Sequence, residues 1–78
     1  MTPDDIQTLI EQHLDYCSAQ VTSDDNTHFE ATVICAGFDG KRPLQRHQMI
    51  YAALGERMGG DIHALSIKAL TPAEADAS

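Results

Sequence analysis

Histidine and cysteine are the side chains of this sequence that could ligate a metal or carry redox chemistry. No CxxC motif occurs, and no histidine stands at a zinc-finger spacing from a cysteine. The spacing does not indicate a zinc finger, and a zinc site built from scattered residues stays open as the less favoured alternative. The two well-separated cysteines are predicted to be reduced thiols that pack as small hydrophobic side chains. The histidines and cysteines of the chain are His13, His28, His47, His63, Cys17 and Cys35.

The charged residues are unevenly placed along an acidic chain. Five Lys and Arg against twelve Asp and Glu give a net charge of −7, which argues against a general phosphate-binding surface. Three of the cations, Lys41, Arg42 and Arg46, nevertheless lie within six residues. They are either a solvated loop and helix start or a docking patch for an anion or an acidic partner.

Signatures of catalysis and of targeting are missing from the sequence. It contains no GxSxG, P-loop, Rossmann glycine or HExxH motif. A single domain of 78 residues has little material to enclose a catalytic pocket, so we expect no enzyme activity. The N-terminal segment has neither a basic region nor a long apolar run, so a cytoplasmic location without a membrane span is expected.

A helix and a β-hairpin are predicted in the first half of the chain. Thr2 caps the helix and Pro3 takes its first position, while His13 falls at the edge of its apolar stripe. Two strands follow, "AQVTS" and "HFEATVICA" (28–36), joined by a turn whose acids are expected to be solvated rather than catalytic. In the second strand, His28 points away from the face formed by Phe29, Ala31, Val33 and Cys35.

A second helix and a third strand are predicted in the second half. The helix covers "PLQRHQMIYAALGERM", with Gly55 inside it and His47 on the stripe that faces the core. The strand is "DIHALSIKAL" (61–70), in which His63 shares a face with apolar side chains. "TPAEADAS" is expected to be a loose tail or an aborted helix. The predicted core stripe of the helix comprises Leu44, His47, Ile50, Tyr51, Leu54 and Met58.

The order of these elements predicts one α+β domain over residues 1–78, with a core at about 3–71 and a tail at 72–78. The first two strands pair as a hairpin, and the third joins the same three-stranded sheet after a helical crossover. One amphipathic stripe per helix places both helices on one face of the sheet.

Two runs taken together resemble the BolA family, and within it the small acidic IbaG-like branch. They are "FDGKRPLQRHQMIYAAL" (38–54) and "IHALSIKALTPAE" (62–74), and the resemblance extends over nearly all of residues 5–74. It implies an α-β-β-α-β fold like that of class II KH domains, in agreement with the predicted element order.

The resemblance also implies a function. BolA-like proteins pair with monothiol glutaredoxins and share a two-iron two-sulfur cluster with them and glutathione, for cluster trafficking or sensing. The family's histidine ligand maps onto His63, and the nearest candidate for the second ligand, which comes from the hairpin loop, is His28. Lys41, Arg42 and Arg46 would meet glutathione carboxylates or an acidic partner surface.

Other interpretations remain open at this point. By spacing alone, His63 is a strand histidine satisfied by a local hydrogen bond, as in a plain scaffold protein. Some BolA-like proteins are described as transcription regulators, so nucleic-acid binding through the KH-like fold is the alternative function. The charge of −7 and the lack of a GxxG loop between two helices argue against it. Homodimerisation is left open.

Overall fold

The computed structural model describes residues 1–60, 62 and 64–77 of the chain. The predicted α-β-β-α-β order is confirmed, and a short third helix follows it. Two single turns of 3₁₀ helix, Ala36–Phe38 and Gly55–Arg57, flank the second helix. The elements are α1 Pro3–His13, β1 Cys17–Thr22, β2 His28–Cys35, α2 Pro43–Leu54, β3 Ala64–Leu70 and α3 Pro72–Ala77.

The three strands form one mixed sheet in the order β1-β2-β3. β1 and β2 pair antiparallel as a hairpin, and β3 lies parallel to β2. The parallel pairing needs a crossover connection, which α2 supplies. The third strand had been predicted over 61–70, but the described strand begins at Ala64, and Ile62 instead forms an isolated bridge with Met58.

The core lies between one face of the sheet and the two long helices. β2 alternates as predicted, with Phe29, Ala31, Val33 and Cys35 buried and His28 and Glu30 exposed. These inward side chains pack in one cluster with residues of α1 and α2, so both helices cover the same sheet face. The helix residues of this cluster are Ile6, Ile10, Ile50 and Leu54.

α1 follows the predicted capping pattern. The Thr2 hydroxyl accepts the Asp5 N–H at 3.3 Å, and the Asp5 carboxylate accepts the Thr2 N–H at 2.9 Å. Both bonds satisfy donors that the first helical turn leaves unpaired. His13 is exposed, with its ring nitrogen Nδ1 2.9 Å from the Leu9 carbonyl of the same helix.

The predicted core stripe of α2 is confirmed at Ile50 and Leu54, which are buried, and wrong at Leu44 and Tyr51. Leu44 is 68% exposed and Tyr51 41% exposed, and half-buried His47 meets the Tyr51 ring edge to face. Arg46 is buried instead, on the side of the helix that carries Ile50. The sequence prediction left Arg46 out of the core because it is charged. Its burial turns the buried side of α2 away from Leu44 and Tyr51.

The prediction that Gly55 lies inside α2 is also wrong. The helix ends at Leu54, and Gly55 is its C-cap with a φ of 57°. Glycine adopts this positive φ without the steric cost that a Cβ carries. Nothing packs within 4 Å of the place a Cβ would occupy, so the requirement is conformational.

The two cysteines are paired in a disulfide, and the expectation of reduced thiols is wrong for this structure. β1 begins at Cys17, two residues before the predicted strand, and its register places Cys17 directly opposite Cys35. The two Cα atoms are 4.2 Å apart. The extra strand residues therefore bring together two thiols that the sequence treats as unrelated.

The segment predicted as a loose tail or an aborted helix forms the short helix α3, which packs against β2 and β3. Thr71 and Glu74 cap it reciprocally: the Glu74 carboxylate accepts the Thr71 N–H at 2.8 Å, and the Thr71 hydroxyl accepts the Glu74 N–H at 3.1 Å. None of the helices in the described ranges is long and apolar enough to cross a membrane.

Candidate functional site

The loop between β1 and β2 is held by hydrogen bonds from its own side chains. The Ser23 hydroxyl accepts the Asn26 N–H at 2.9 Å and donates to the His28 carbonyl at 2.6 Å. One Asp25 oxygen, Oδ1, accepts the N–H groups of Thr27 and His28, both at 2.9 Å. These bonds position the residue that opens β2, which is His28.

The His28 side chain is 75% exposed and hydrogen-bonded on one side of its ring. Its Nδ1 lies 2.9 Å from Oδ2 of Asp25. Bonds from the His28 N–H, the His28 ring and the Thr27 N–H hold the pKa of Asp25 far below its usual value, so this carboxylate is ionised and can only accept. Within the described part of the chain, Nε2 of His28 makes no hydrogen bond.

A cleft of about 260 Å³ opens beside this ring, between the hairpin loop and the beginning of β3. His28, Glu30, Ala64 and Ser66 are among its lining residues. The parallel register pairs His28 with Ala64, the first residue of β3. The cleft therefore lies where the first residues of two neighbouring parallel strands stand side by side.

His63, the predicted principal ligand, lies outside the described residues, but the chain on both sides of it is placed. Ile62 is fully buried, its N–H donates to the Arg57 carbonyl at 2.9 Å, and its carbonyl accepts the Gly59 N–H at 2.8 Å. Ala64 follows in the sheet, opposite His28. Of the two predicted ligands, the structure thus places His28 at the cleft. For His63 it describes the two sequence neighbours, Ile62 and Ala64.

The three clustered cations do not share one environment. Lys41 and Arg42 are exposed at the start of α2. Arg46 is only 8% exposed, and its guanidinium donates to the carbonyls of Lys41 at 2.9 Å and Ala69 at 3.0 Å and to the Glu74 carboxylate at 2.6 Å. The expected docking role of Arg46 does not match this position, since its donors stabilise the fold.

Arg46 also influences the residues around it. Its charged head lies 5.8 Å from the centre of the Phe38 ring, a cation–π distance. The hydrogen bond from Arg46, with the Thr71 N–H, lowers the pKa of Glu74. Arg46 thus joins the loop before α2, the end of β3 and the first turn of α3.

His13 in α1 and His47 in α2 do not line the cleft. No group of three or more metal-binding side chains forms among the described residues. One imidazole with an available Nε2 at an open cleft is a partial donor set, which fits a metal group whose other ligands come from a partner. Sequence reasoning missed the Asp25 contact, for which the only signal was an aspartate in a turn three residues before a histidine.

The mixed sheet, the crossover helix and the exposed histidine beside an open cleft define a small α+β domain. The sequence profile described as BolA-like protein matches residues 5–74, and the chain belongs to the BolA family. This confirms the predicted family; assignment to its IbaG-like branch stays a prediction.

Similar proteins agree with this assignment. The structure of a BolA protein homologue from Coxiella burnetii is 45% identical, with a TM-score of 0.83 over 97% of each chain. Human BolA-like protein 1 is 52% identical over 48 residues, which are 62% of this chain and 35% of the human protein. The DNA-binding transcriptional regulator BolA of Haemophilus influenzae is 42% identical over 48 residues, 62% of this chain and 47% of that protein. The matches thus span less than half the length of these two curated relatives.

Proposed function

We propose that this protein is an iron–sulfur accessory protein that binds a monothiol glutaredoxin and shares a two-iron two-sulfur cluster with it for trafficking or sensing. The observation that carries the proposal is the pairing of His28 with Ala64 beside an open cleft. His63 is the residue bonded to Ala64. The proposed role of His63 beside His28 rests on this adjacency in the sequence.

The two histidines would act as neutral nitrogen ligands to one side of the cluster. Imidazole in place of thiolate raises the reduction potential of such a cluster and removes negative charge from it. The remaining ligands would be thiolates of the glutaredoxin cysteine and of glutathione. The chain alone would then hold no cluster, and we propose no catalytic role for it.

The docking surface for the partner would include the exposed cations at the start of α2. Lys41 and Arg42 are free to meet glutathione carboxylates or an acidic protein surface. Arg46 is left out of this surface because its guanidinium is buried and bonded within the fold. A cytoplasmic location remains a prediction from the sequence.

Mixing the purified chain with a cluster-loaded monothiol glutaredoxin tests this function. Visible absorption and circular dichroism should change on mixing, and His63→Ala should remove the change. His28→Ala should weaken it. His13→Ala is the matched control, because the one hydrogen bond of the His13 ring to a described residue is to its own helix. An unchanged spectrum with the wild-type chain would refute the proposal, and wild-type behaviour of His63→Ala would favour a plain scaffold role.

Nucleic-acid binding is the second candidate, favoured by the name of the Haemophilus influenzae relative. The net charge of −7 weighs against it, as does the burial of Arg46, which leaves Lys41 and Arg42 as the exposed members of the cation cluster. A gel shift that disappears at about 200 mM salt would reflect charge attraction alone. Sequence-selective binding above that salt concentration would support this candidate instead.

A further inference from the structure

The two carboxylate oxygens of Asp25 have separate partners. Oδ1 accepts the backbone N–H groups of Thr27 and His28, and these bonds shape the loop. Oδ2 bonds to Nδ1 of the His28 ring at 2.9 Å. Oδ1 already has two backbone donors, so the contact at Oδ2 serves the ring rather than the loop.

We propose that Asp25 is a positioning residue that holds the His28 imidazole with its proton on Nδ1 and its Nε2 lone pair directed to a metal. This inference rests on the proposed function, and it gives Asp25 a role at the cleft beside that of His28. An ionised carboxylate only accepts hydrogen bonds, so Nδ1 must carry the proton in the neutral ring. Nε2 is then the unprotonated nitrogen, the form that a metal requires.

The contribution of Asp25 is to orientation and tautomer more than to stability. Asp25 and His28 are 53% and 75% exposed, and a pair so exposed to water adds little to the free energy of folding. Among the described residues, Asp25 makes the only hydrogen bond to the ring. Without it, no hydrogen bond from the described residues would set the ring orientation or the tautomer.

Asp25→Asn separates the two roles of the carboxylate. The asparagine Oδ1 can still accept the N–H groups of Thr27 and His28, so the loop should keep its shape. Its amide nitrogen can only donate, so it would face Nδ1 as a donor and favour the tautomer with the proton on Nε2. Asp24→Asn is the matched control: Asp24 lines the same cleft but makes no hydrogen bond to the ring among the described residues, so the change removes the same charge and leaves the ring contact in place.

Long-range ¹H–¹⁵N NMR of the isolated chain reads the tautomer directly. At about pH 8.5, roughly two units above the ordinary imidazole pKa, wild type and Asp24→Asn should show the proton on Nδ1 of His28. Asp25→Asn should show it on Nε2. An Nε2-protonated His28 in the wild type, or an unchanged tautomer in Asp25→Asn, would overturn the inference.

Titration with cluster-loaded glutaredoxin tests the consequence for binding. Asp25→Asn should weaken the spectroscopically measured complex about 10- to 100-fold, the usual cost of losing a residue that orients a metal ligand. Asp24→Asn should stay near wild type. If the wild type responds normally but Asp25→Asn and Asp24→Asn bind with equal affinity, the role of Asp25 is refuted and the proposed function stands. No response from the wild type would refute the proposed function and, with it, the role of His28 as a ligand. The NMR result would still show whether Asp25 orients the ring.

Discussion

Replacing Arg46 by alanine should destabilise the fold strongly, because its guanidinium joins three segments from a buried position. The change removes two bonds to backbone carbonyls, those of Lys41 and Ala69, and one to Glu74. Hydrogen bonds to charged groups contribute roughly 1.5–3 kcal/mol each, and they do not simply add. The Glu74 carboxylate is 48% exposed, so we assign that bond no value of its own.

Because these contributions are less than additive, the two carbonyl bonds and the lost packing on Phe38 together predict a loss of about 2–4 kcal/mol, below the simple sum of the bonds. A domain of 78 residues has a total stability of roughly 4–12 kcal/mol, so the loss is a large fraction of it. In a domain of this size each kcal/mol shifts Tm by about 4–8 °C, which predicts a decrease of roughly 8–32 °C.

Urea unfolding followed by far-UV circular dichroism measures this change. Arg42→Ala is the control: it removes the same charge from an exposed neighbour and should stay within about 0.5 kcal/mol of wild type. Arg46→Lys should still be destabilised, because an ammonium cannot reproduce the planar fork of donors. A wild-type urea midpoint for Arg46→Ala, together with lost glutaredoxin binding, would show that Arg46 is a docking residue and that our reasoning is wrong.

Three further predictions concern the rest of the fold. Reducing the Cys17–Cys35 disulfide, which joins residues 18 apart, should lower the unfolding free energy by about 3 kcal/mol; equal urea midpoints with and without reductant would contradict this. The folded-state pKa of Glu74 is lowered by its bond to Arg46, so this stabilisation is present above the unfolded-state pKa and lost as pH falls below about 4.5; Glu74→Gln should flatten the acid side of a Tm–pH profile. Gly55→Ala should cost about 1–2 kcal/mol in urea unfolding because φ is 57° there, and a neutral result would contradict the cap assignment.

Local patterns in the sequence were sufficient for the order of the first five main elements and for part of the site. Thr2 and Pro3 at the start of α1 predict a cap whose partners lie within four residues, and the structure has it. Alternation along β2 predicts that His28 faces away from the core, because successive strand residues point to opposite sides. Such features depend on neighbours in the chain, so the sequence alone determines them.

Features that depend on distant residues were decided by the tertiary structure. α2 carries two overlapping stripes, and burial of Arg46 became favourable only because the Ala69 carbonyl and Glu74 reach it from β3 and α3. The register of β1 on β2 made a disulfide of two cysteines that looked unrelated.

The candidate site divides in the same way. The sequence indicated His28 through a family resemblance. The parallel register then paired it with Ala64, which is far along the chain but lies on the neighbouring strand. The hairpin loop then folded Asp25 onto the ring, although a turn aspartate is ordinarily solvated. Residue spacing predicts which side chains share a face, but pairing across segments decides which atoms meet, because that depends on the packing of the whole chain.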